Sequence, residues 1–276
     1  MKVINKIILV IIFILLFIPI YFMLIGSFQD IYGVSAMPPR IIPKNIIIDN
    51  YEYILKYNFG IWSINTIIVT VSTILLSILI ATTSGYVFSV YNFRFKNILW
   101  SLLLIQMMIP RISMLIPLFV IIKDLKLSGS LIATILPNSI SPMEMYLARN
   151  YFESIPKSII ESARIDGANE WQILKMIIIP VSKPIISVIA LFSGVFALQD
   201  YIWQMLVLVD ESKQTLLVGI MKLVMRRGSD ANDANLGVNP VGRSFAAGIL
   251  LLFPLVVLFL IGNKYFIEGL QGAVKE

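Results

Sequence analysis

Long apolar runs alternate with short polar segments along most of the chain. Six runs approach or exceed the roughly 20 apolar residues that a helix needs to cross a bilayer. They cover residues 7–25, 64–90, 98–122, 131–147, 177–208 and 245–262. The strict alternation of apolar and polar positions that is typical of membrane barrels does not occur in these runs. The pattern therefore predicts an all-α fold, a polytopic membrane bundle of about six transmembrane helices with no separate soluble domain.

Composition agrees with a membrane location. Of the 276 residues, 58% are hydrophobic and 14% are charged, and the mean hydropathy is +0.87. Soluble domains carry about 25% charged residues. The net charge of +6 fits cationic loops beside anionic lipid headgroups better than it fits nucleic acid. The first run is too long for a signal-peptide core and precedes no A-x-A cleavage site, so we interpret it as a retained span.

The chain contains neither cysteine nor histidine. Disulfides and thiol chemistry are thereby excluded. The usual general base and the commonest metal ligand are also missing. We therefore expect no catalytic residue and no metal site, and the chain is not expected to be an enzyme.

A charged segment interrupted by glycine, residues 153–184, separates the fourth and fifth apolar runs. Ser158 and Glu161 have the S-x-x-E spacing of a capping box, which predicts a helix over 157–166. Gly167 can adopt the left-handed conformation that ends a helix. On charge alone, a solvated loop without a special role is the competing interpretation.

A second helix is predicted directly after this turn. Asn169 and Gln172 form an N-x-x-Q capping pattern at its start. Pro180 and Pro184 are expected to bend or break it as it enters the membrane. Trp171 is expected to pack the loop against the transmembrane helices.

The spacing within this segment resembles the EAA signature of bacterial ABC-importer permeases, which reads E-A-A, three residues, G, nine residues, I-x-L-P. Glu161, Ser162, Ala163, Gly167 and the run IIIP match it, with serine for the first alanine and isoleucine for the leucine. The strings LIPLFVIIKDLKLSGS and KYFIEGLQGAVKE also look like the carbohydrate branch of that family. The resemblance extends from about residue 65 to the C-terminus and is to the MalG-type permease of maltose-like systems.

This resemblance implies a type I ABC-importer permease that forms half of a translocation path for a sugar or oligosaccharide. It implies a homologous second permease, two ATP-binding subunits, an extracytoplasmic solute-binding protein and membrane lipid as partners, with no nucleic acid. ATP and Mg belong to the ATP-binding subunits. We expect no cofactor on this chain, because its P-loop-like string at 237–244 has arginine where lysine is required.

The same resemblance implies that the chain lies in a bacterial plasma membrane with its coupling helix in the cytoplasm. Both termini are then expected to be cytoplasmic as well. The coupling residues would be Glu161, Ser162, Ala163, Asp166 and Gly167. Glu161 would offer a carboxylate to a basic group of the ATPase, and Asp166 would cap the turn or contact that partner. The small residues Ala163 and Gly167 would allow close approach. We divide the chain into a first helix with an extracytoplasmic loop, 1–60, and a permease core, 61–276.

Polar and aromatic side chains in the apolar runs are candidates for the solute path. A sugar requires hydrogen-bonding groups and an aromatic face, and six residues supply these: Gln106, Asn138, Gln199, Asp200, Tyr201 and Trp203. Hydrogen bonding between helices is the competing role. Because a charge at bilayer depth is costly, Arg111 is expected to pair with an acid or to reach an interface.

Two other functions remain open from the residues. An ion-coupled secondary transporter would use Glu144 or Asp200 as its ion site, and a membrane scaffold or insertase would have no solute path. In related permeases the loop corresponding to 225–243 meets the binding protein. The preceding TLLVGIMKLV is predicted to be an amphipathic surface helix.

Overall fold

The computed structural model describes residues 2–34, 36–38, 40–225 and 240–273, and within these ranges all regular structure is helical. The helices are α1 (Lys2–Ser27), α2 (Ile31–Val34), α3 (Asp49–Leu55), α4 (Phe59–Val90), α5 (Lys96–Met108), α6 (Arg111–Asp124), α7 (Ile132–Asn138), α8 (Pro142–Glu153), α9 (Lys157–Ile165), α10 (Glu170–Ile173), α11 (Ile179–Val181), α12 (Lys183–Gln199), α13 (Tyr201–Val207), α14 (Leu216–Met225) and α15 (Pro240–Ala273). A π-helical segment, Leu174–Ile178, joins α10 to α11, and Glu211–Lys213 forms a 3₁₀ turn.

The predicted apolar runs are realised in two ways. Asn5–Ser27 of α1, the whole of α4 and Pro240–Gly262 of α15 are long and apolar enough to cross a membrane without a break. Two further runs are bent pairs: α5 and α6 meet at 111°, and Glu170–Val181 meets α12 at 84°. The fourth run consists of the two short helices α7 and α8. The all-α, multi-pass membrane fold is confirmed, and several of its apolar segments are interrupted.

Prolines account for these interruptions. Pro110 precedes the first residue of α6 and cannot supply the N–H that a continuous helix would need. Pro142 occupies the first turn of α8, where its missing N–H costs nothing. Pro180 and Pro184 flank Ser182 at the 84° bend. The bend predicted from these two prolines is confirmed.

The chain forms two compact units. The first comprises Met1–Ser63 and Thr215–Pro254, and the second comprises Ile64–Gln214 and Leu255–Glu276. The sequence-based boundary at residue 60 lies close to Ser63, but the first unit also includes the later segment.

The first unit contains a buried cluster to which α14 contributes. Leu216, Ile220 and Leu223 are buried there with Trp62, and a Cβ at Gly219 would collide with the Trp62 ring. The segment TLLVGIMKLV is therefore a helix that packs into a buried cluster, and the prediction that it lies on the surface is wrong. The absence of a side chain at Gly219 lets the Trp62 indole lie against α14. Residues 226–239 of the loop predicted to meet the binding protein, and residues 237–239 of the P-loop-like string, lie outside the described residues.

Two buried clusters lie in the second unit and position its functional groups. The first packs the segment 153–184 against α4 and α8, through Tyr86, Ala148, Phe152, Ile160, Ala163, Ile173 and Ile178 among others. The second is centred on Trp203, with Ile122, Ala133, Val207 and Leu208. The segment 153–184 is therefore held against the transmembrane helices by its own apolar side chains.

Candidate functional site

The helix α9 has one buried and one exposed face. Ile160 and Ala163 are 4% and 9% exposed and belong to the buried cluster. Glu161 and Ser162, the residues between them, are exposed. Positions three apart share a helix face, so this division follows from the sequence spacing. Ala163 packs inward and does not contribute to the outer surface, which corrects the expectation that it allows close approach of a partner.

The start of α9 differs from the prediction. Pro156 is the residue that precedes the helix, and no side chain caps it. Ser158 therefore lies inside the first turn, and the predicted capping box with Glu161 is wrong. As a result the Glu161 carboxylate has no hydrogen bond or ion pair with any residue that the structure describes. It is left facing outward.

The turn after α9 closes through two backbone hydrogen bonds. The Ala168 N–H donates to the Ala163 carbonyl at 3.0 Å and the Gly167 N–H donates to the Arg164 carbonyl at 3.1 Å. This pair is the Schellman arrangement, which requires a left-handed residue at the helix end. Gly167 has φ +85°, so its predicted conformation is confirmed. The Asp166 side chain before it is exposed.

The helix after the turn begins with a reciprocal cap. The Gln172 N–H donates to Asn169 Oδ1 at 2.9 Å, and the Asn169 N–H donates to Gln172 Oε1 at 2.8 Å. The predicted N-x-x-Q cap is confirmed. Trp171, however, is 59% exposed, and its predicted packing role is wrong. Ile173 and Leu174 occupy the inward face, and Trp171 lies about 200° around the helix from Ile173.

A polar cluster of Arg164, Glu170 and Tyr86, which the sequence analysis missed, anchors the turn after α9 to helix α4. Arg164 Nε and Nη2 donate to the two carboxylate oxygens of Glu170 at 2.8 and 3.3 Å. The Tyr86 hydroxyl donates to Glu170 Oε2 at 2.6 Å. The hydrogen bond to Glu170 raises the pKa of the Arg164 guanidinium above its ordinary value. The opposite charges on either side of Gly167 were a signal for the first contact, but nothing in the sequence indicated Tyr86.

The helix, turn and helix therefore form a stiff, capped element with an outward polar edge. Glu161, Ser162, Asp166 and Gly167 are all exposed along that edge. The Cβ position of Gly167 has no atom within 4 Å. Such a surface can dock against a soluble partner protein. The exposed residues named here do not form a catalytic constellation.

The second unit also contains a cavity of about 1040 Å³, slightly above the roughly 300–1,000 Å³ typical of ligand pockets. Most of its wall is apolar, with Met107, Phe192 and Phe259 among the contributors. The polar side chains among its described lining residues are Gln106, Arg111, Asn138, Ser141, Glu144 and Gln199. A cavity of this size with a few polar groups suits a small organic solute.

The six residues predicted for the solute path occupy different places. Gln106, Asn138 and Gln199 line the cavity. Asp200 lies behind it, bonded to Asn138, and Tyr201 is half-buried outside the described lining. Trp203 is fully buried, and its Nε1–H donates to the Ala133 carbonyl at 3.0 Å. The geometry assigns Trp203 to packing between helices.

Arg111 forms a network with two of these residues. Its Nη2 donates to Asn138 Oδ1 at 2.6 Å and to Asp200 Oδ2 at 3.3 Å. Asn138 Nδ2 also donates to Asp200 Oδ2 at 2.8 Å. The guanidinium carbon lies 4.0 Å from the centroid of the Phe196 ring. The expectation that Arg111 pairs with an acid is confirmed.

A multi-pass membrane fold with an internal cavity, and with a capped helix pair that exposes a polar edge, is that of a membrane transport component. The chain belongs to the family described as binding-protein-dependent transport system inner membrane component, which matches residues 73–271. This family comprises transport permease subunits and not enzymes. Membership implies a partner permease, ATPase subunits and a binding protein.

Individual relatives agree with this assignment. The chain is 33% identical over 247 residues to the galactooligosaccharides transport system permease protein GanQ of Bacillus subtilis, covering 87% of this chain and 84% of GanQ. It is 29% identical over 264 residues to the arabinooligosaccharides transport system permease protein AraQ of the same organism, covering 93% and 90%. A bacterial ABC transporter involved in the import of the acidic polysaccharide alginate contains a similar chain, with a TM-score of 0.85, 25% identity and 96% coverage of both chains.

Proposed function

We propose that this chain forms half of the transmembrane path of an ATP-driven importer for a sugar or oligosaccharide. GanQ and AraQ are named as oligosaccharide permeases, and both align with most of this chain. The cavity of about 1040 Å³ supports the proposal, because it combines apolar walls with amide side chains at Gln106, Asn138 and Gln199. A homologous second permease would provide the other half of the path.

Coupling to ATP hydrolysis occurs through the outer edge of α9 and its turn. Glu161, Ser162, Asp166 and Gly167 are exposed there, while the inner face is buried in the cluster with α4 and α8. A push on the edge is therefore transmitted into the transmembrane helices. ATP and Mg bind the two ATPase subunits, so this chain contributes contacts that differ between the two states of its neighbours.

This role fixes the orientation in the membrane. The segment 153–184 lies in the cytoplasm beside the ATPase subunits, and both termini lie on the same side. Closure of the ATPase subunits moves the loop and converts the path from inward-open to outward-open, and hydrolysis resets it. The extracytoplasmic binding protein delivers the solute from the opposite side.

Reconstitution tests the proposal against an ion-coupled mechanism. The complex of this chain with its partner subunits and binding protein is placed in proteoliposomes, and uptake of radiolabelled oligosaccharides is measured with ATP, without ATP, and with an imposed proton or sodium gradient. We expect uptake with ATP only. Uptake that is driven by an ion gradient without ATP would overturn the proposal.

A further inference from the structure

The Arg111 guanidinium is only partly used by contacts within the chain. Its hydrogen bonds to Asn138 and Asp200 are both donated by Nη2. The N–H groups of Nε and Nη1 have no acceptor in the part of the chain that the structure describes. The Arg111 side chain is 40% exposed, whereas that of Asp200 is 8% exposed. Since Arg111 lines the cavity, these remaining N–H groups are available to a solute.

The partners of Arg111 hold its guanidinium in one orientation. Asn138 is buried and Asp200 nearly so, and the guanidinium carbon lies 4.0 Å from the centroid of the Phe196 ring. A planar group that is already ion-paired and stacked loses little further freedom when it donates to a ligand. The Asp200 carboxylate also offsets the charge of Arg111, so the solute does not need to be anionic. The hydroxyl and ring oxygens of a sugar are sufficient acceptors.

Two side chains of α12 border the same part of the cavity. Phe196 contacts the guanidinium through its ring, and Gln199 follows three residues later, so the two share one helix face. Both are exposed and both line the cavity. The Gln199 amide takes part in no hydrogen bond with a residue that the structure describes. The amide offers a donor and an acceptor, and the ring offers apolar surface to the C–H groups of a sugar.

We propose that Arg111, Phe196 and Gln199 form a solute subsite, in which Nε and Nη1 of Arg111 donate hydrogen bonds to the oxygens of a glycoside. This inference rests on the proposed import of a carbohydrate and names the groups of this chain that recognise it. The sequence predicted only that Arg111 pairs with an acid. The structure adds a second use, because that pairing occupies one nitrogen of the guanidinium and leaves two.

The first test measures uptake and ATP hydrolysis by the complete importer in the same proteoliposomes, with galactobiose, arabinotriose and raffinose as probes. Arg111→Lys keeps a cation beside Asp200 but has a single nitrogen, and Gln199→Leu removes the amide without changing the Arg111 network. We expect Arg111→Lys to lower uptake of the transported probe by about tenfold and Gln199→Leu by about threefold, since a hydrogen bond to a charged group is the stronger. ATP hydrolysis should stay near the wild-type rate.

Arg149→Lys is the matched control. The Arg149 guanidinium also has an ion pair, with Glu153 at 2.7 Å, and a ring contact, with Trp100 at 4.2 Å, but it is not among the described lining residues of the cavity. We expect its uptake to equal that of the wild type. Wild-type uptake by both subsite variants, or loss of the second permease from the purified Arg111→Lys complex, would overturn this inference and leave the proposed function intact. Wild-type uptake of none of the probes would instead count against the proposed function.

A thiol reporter tests the subsite while Arg111 stays in place. The chain has no cysteine, so Gln199→Cys introduces a unique thiol into it. Val209→Cys, at a position that is 76% exposed and outside the described lining, is the control. Labelling of each complete importer by N-ethylmaleimide is followed by mass spectrometry with and without each of the three sugars. We expect at least one sugar to slow labelling of Gln199→Cys by about threefold, which corresponds to roughly two-thirds occupancy, and to leave Val209→Cys unchanged. Equal labelling of Gln199→Cys with and without every sugar would overturn the inference.

Discussion

Gly167 offers a direct test of the coupling turn. Its φ is +85°, and an L-residue in the left-handed region costs about 1–2 kcal/mol. The Cβ introduced by Gly167→Ala meets no atom within 4 Å, so this conformational cost is the whole perturbation. Because 1.4 kcal/mol corresponds to a tenfold change in an equilibrium constant, we expect the equilibrium constant that favours the native turn to fall by about tenfold, and ATP-driven uptake in proteoliposomes to fall by up to the same factor.

Gly129 supplies a matched control. Its φ is +78°, its Cβ position is also open, and it lies between α6 and α7, outside the segment 153–184. Gly129→Ala therefore carries a similar conformational cost at a site outside the proposed coupling segment. Both variants should lose a similar free energy of unfolding, but only Gly167→Ala should lose uptake. Equal uptake by the two variants would refute the coupling role of the turn.

Three further predictions concern the outer edge of α9 and the buried clusters. Glu161→Lys reverses an exposed charge, so we expect less ATPase subunit to co-purify with the chain at an unchanged melting temperature, and undiminished co-purification would contradict this. Trp203→Ala should lower the free energy of unfolding in detergent by about 3–5 kcal/mol, since the indole is fully buried; a loss below about 1 kcal/mol would show that the site collapses without cost. Gly219→Ala should cost about 1–3 kcal/mol, because the new Cβ overlaps the Trp62 ring. Gly60→Ala, whose Cβ meets open space, is the control, and equal stability of these two glycine variants would argue against close packing at α14.

Local features of the loop 153–184 could be predicted from the sequence because they depend on spacing within a few residues. The left-handed turn at Gly167 and the reciprocal cap of Asn169 and Gln172 are confirmed. The cap proposed for Ser158 failed because a proline one residue before the helix sets its start. Trp171 failed because its exposure depends on which face the helix buries, and local spacing does not fix that.

Contacts between distant parts of the chain could not be predicted in the same way. Glu170 accepts a hydrogen bond from Tyr86, 84 residues earlier in the chain, and no periodicity encodes that distance. The hydropathy pattern predicted the apolar runs but not where they break, since a run reads the same whether its helix is straight or bent by 111°. The burial of α14 likewise depends on the contact of Gly219 with the Trp62 ring.

The network around Arg111 lies where three helices are interrupted. Arg111 is the first residue of α6, Asn138 is the last residue of α7, and Asp200 separates α12 from α13. One guanidinium thus links three chain ends, in addition to the packing of α6, α7 and α13 around Trp203. A motion that draws Asp200 away must either carry α6 and α7 with it or break two hydrogen bonds at once, so rearrangement at this end of the cavity proceeds as a discrete step.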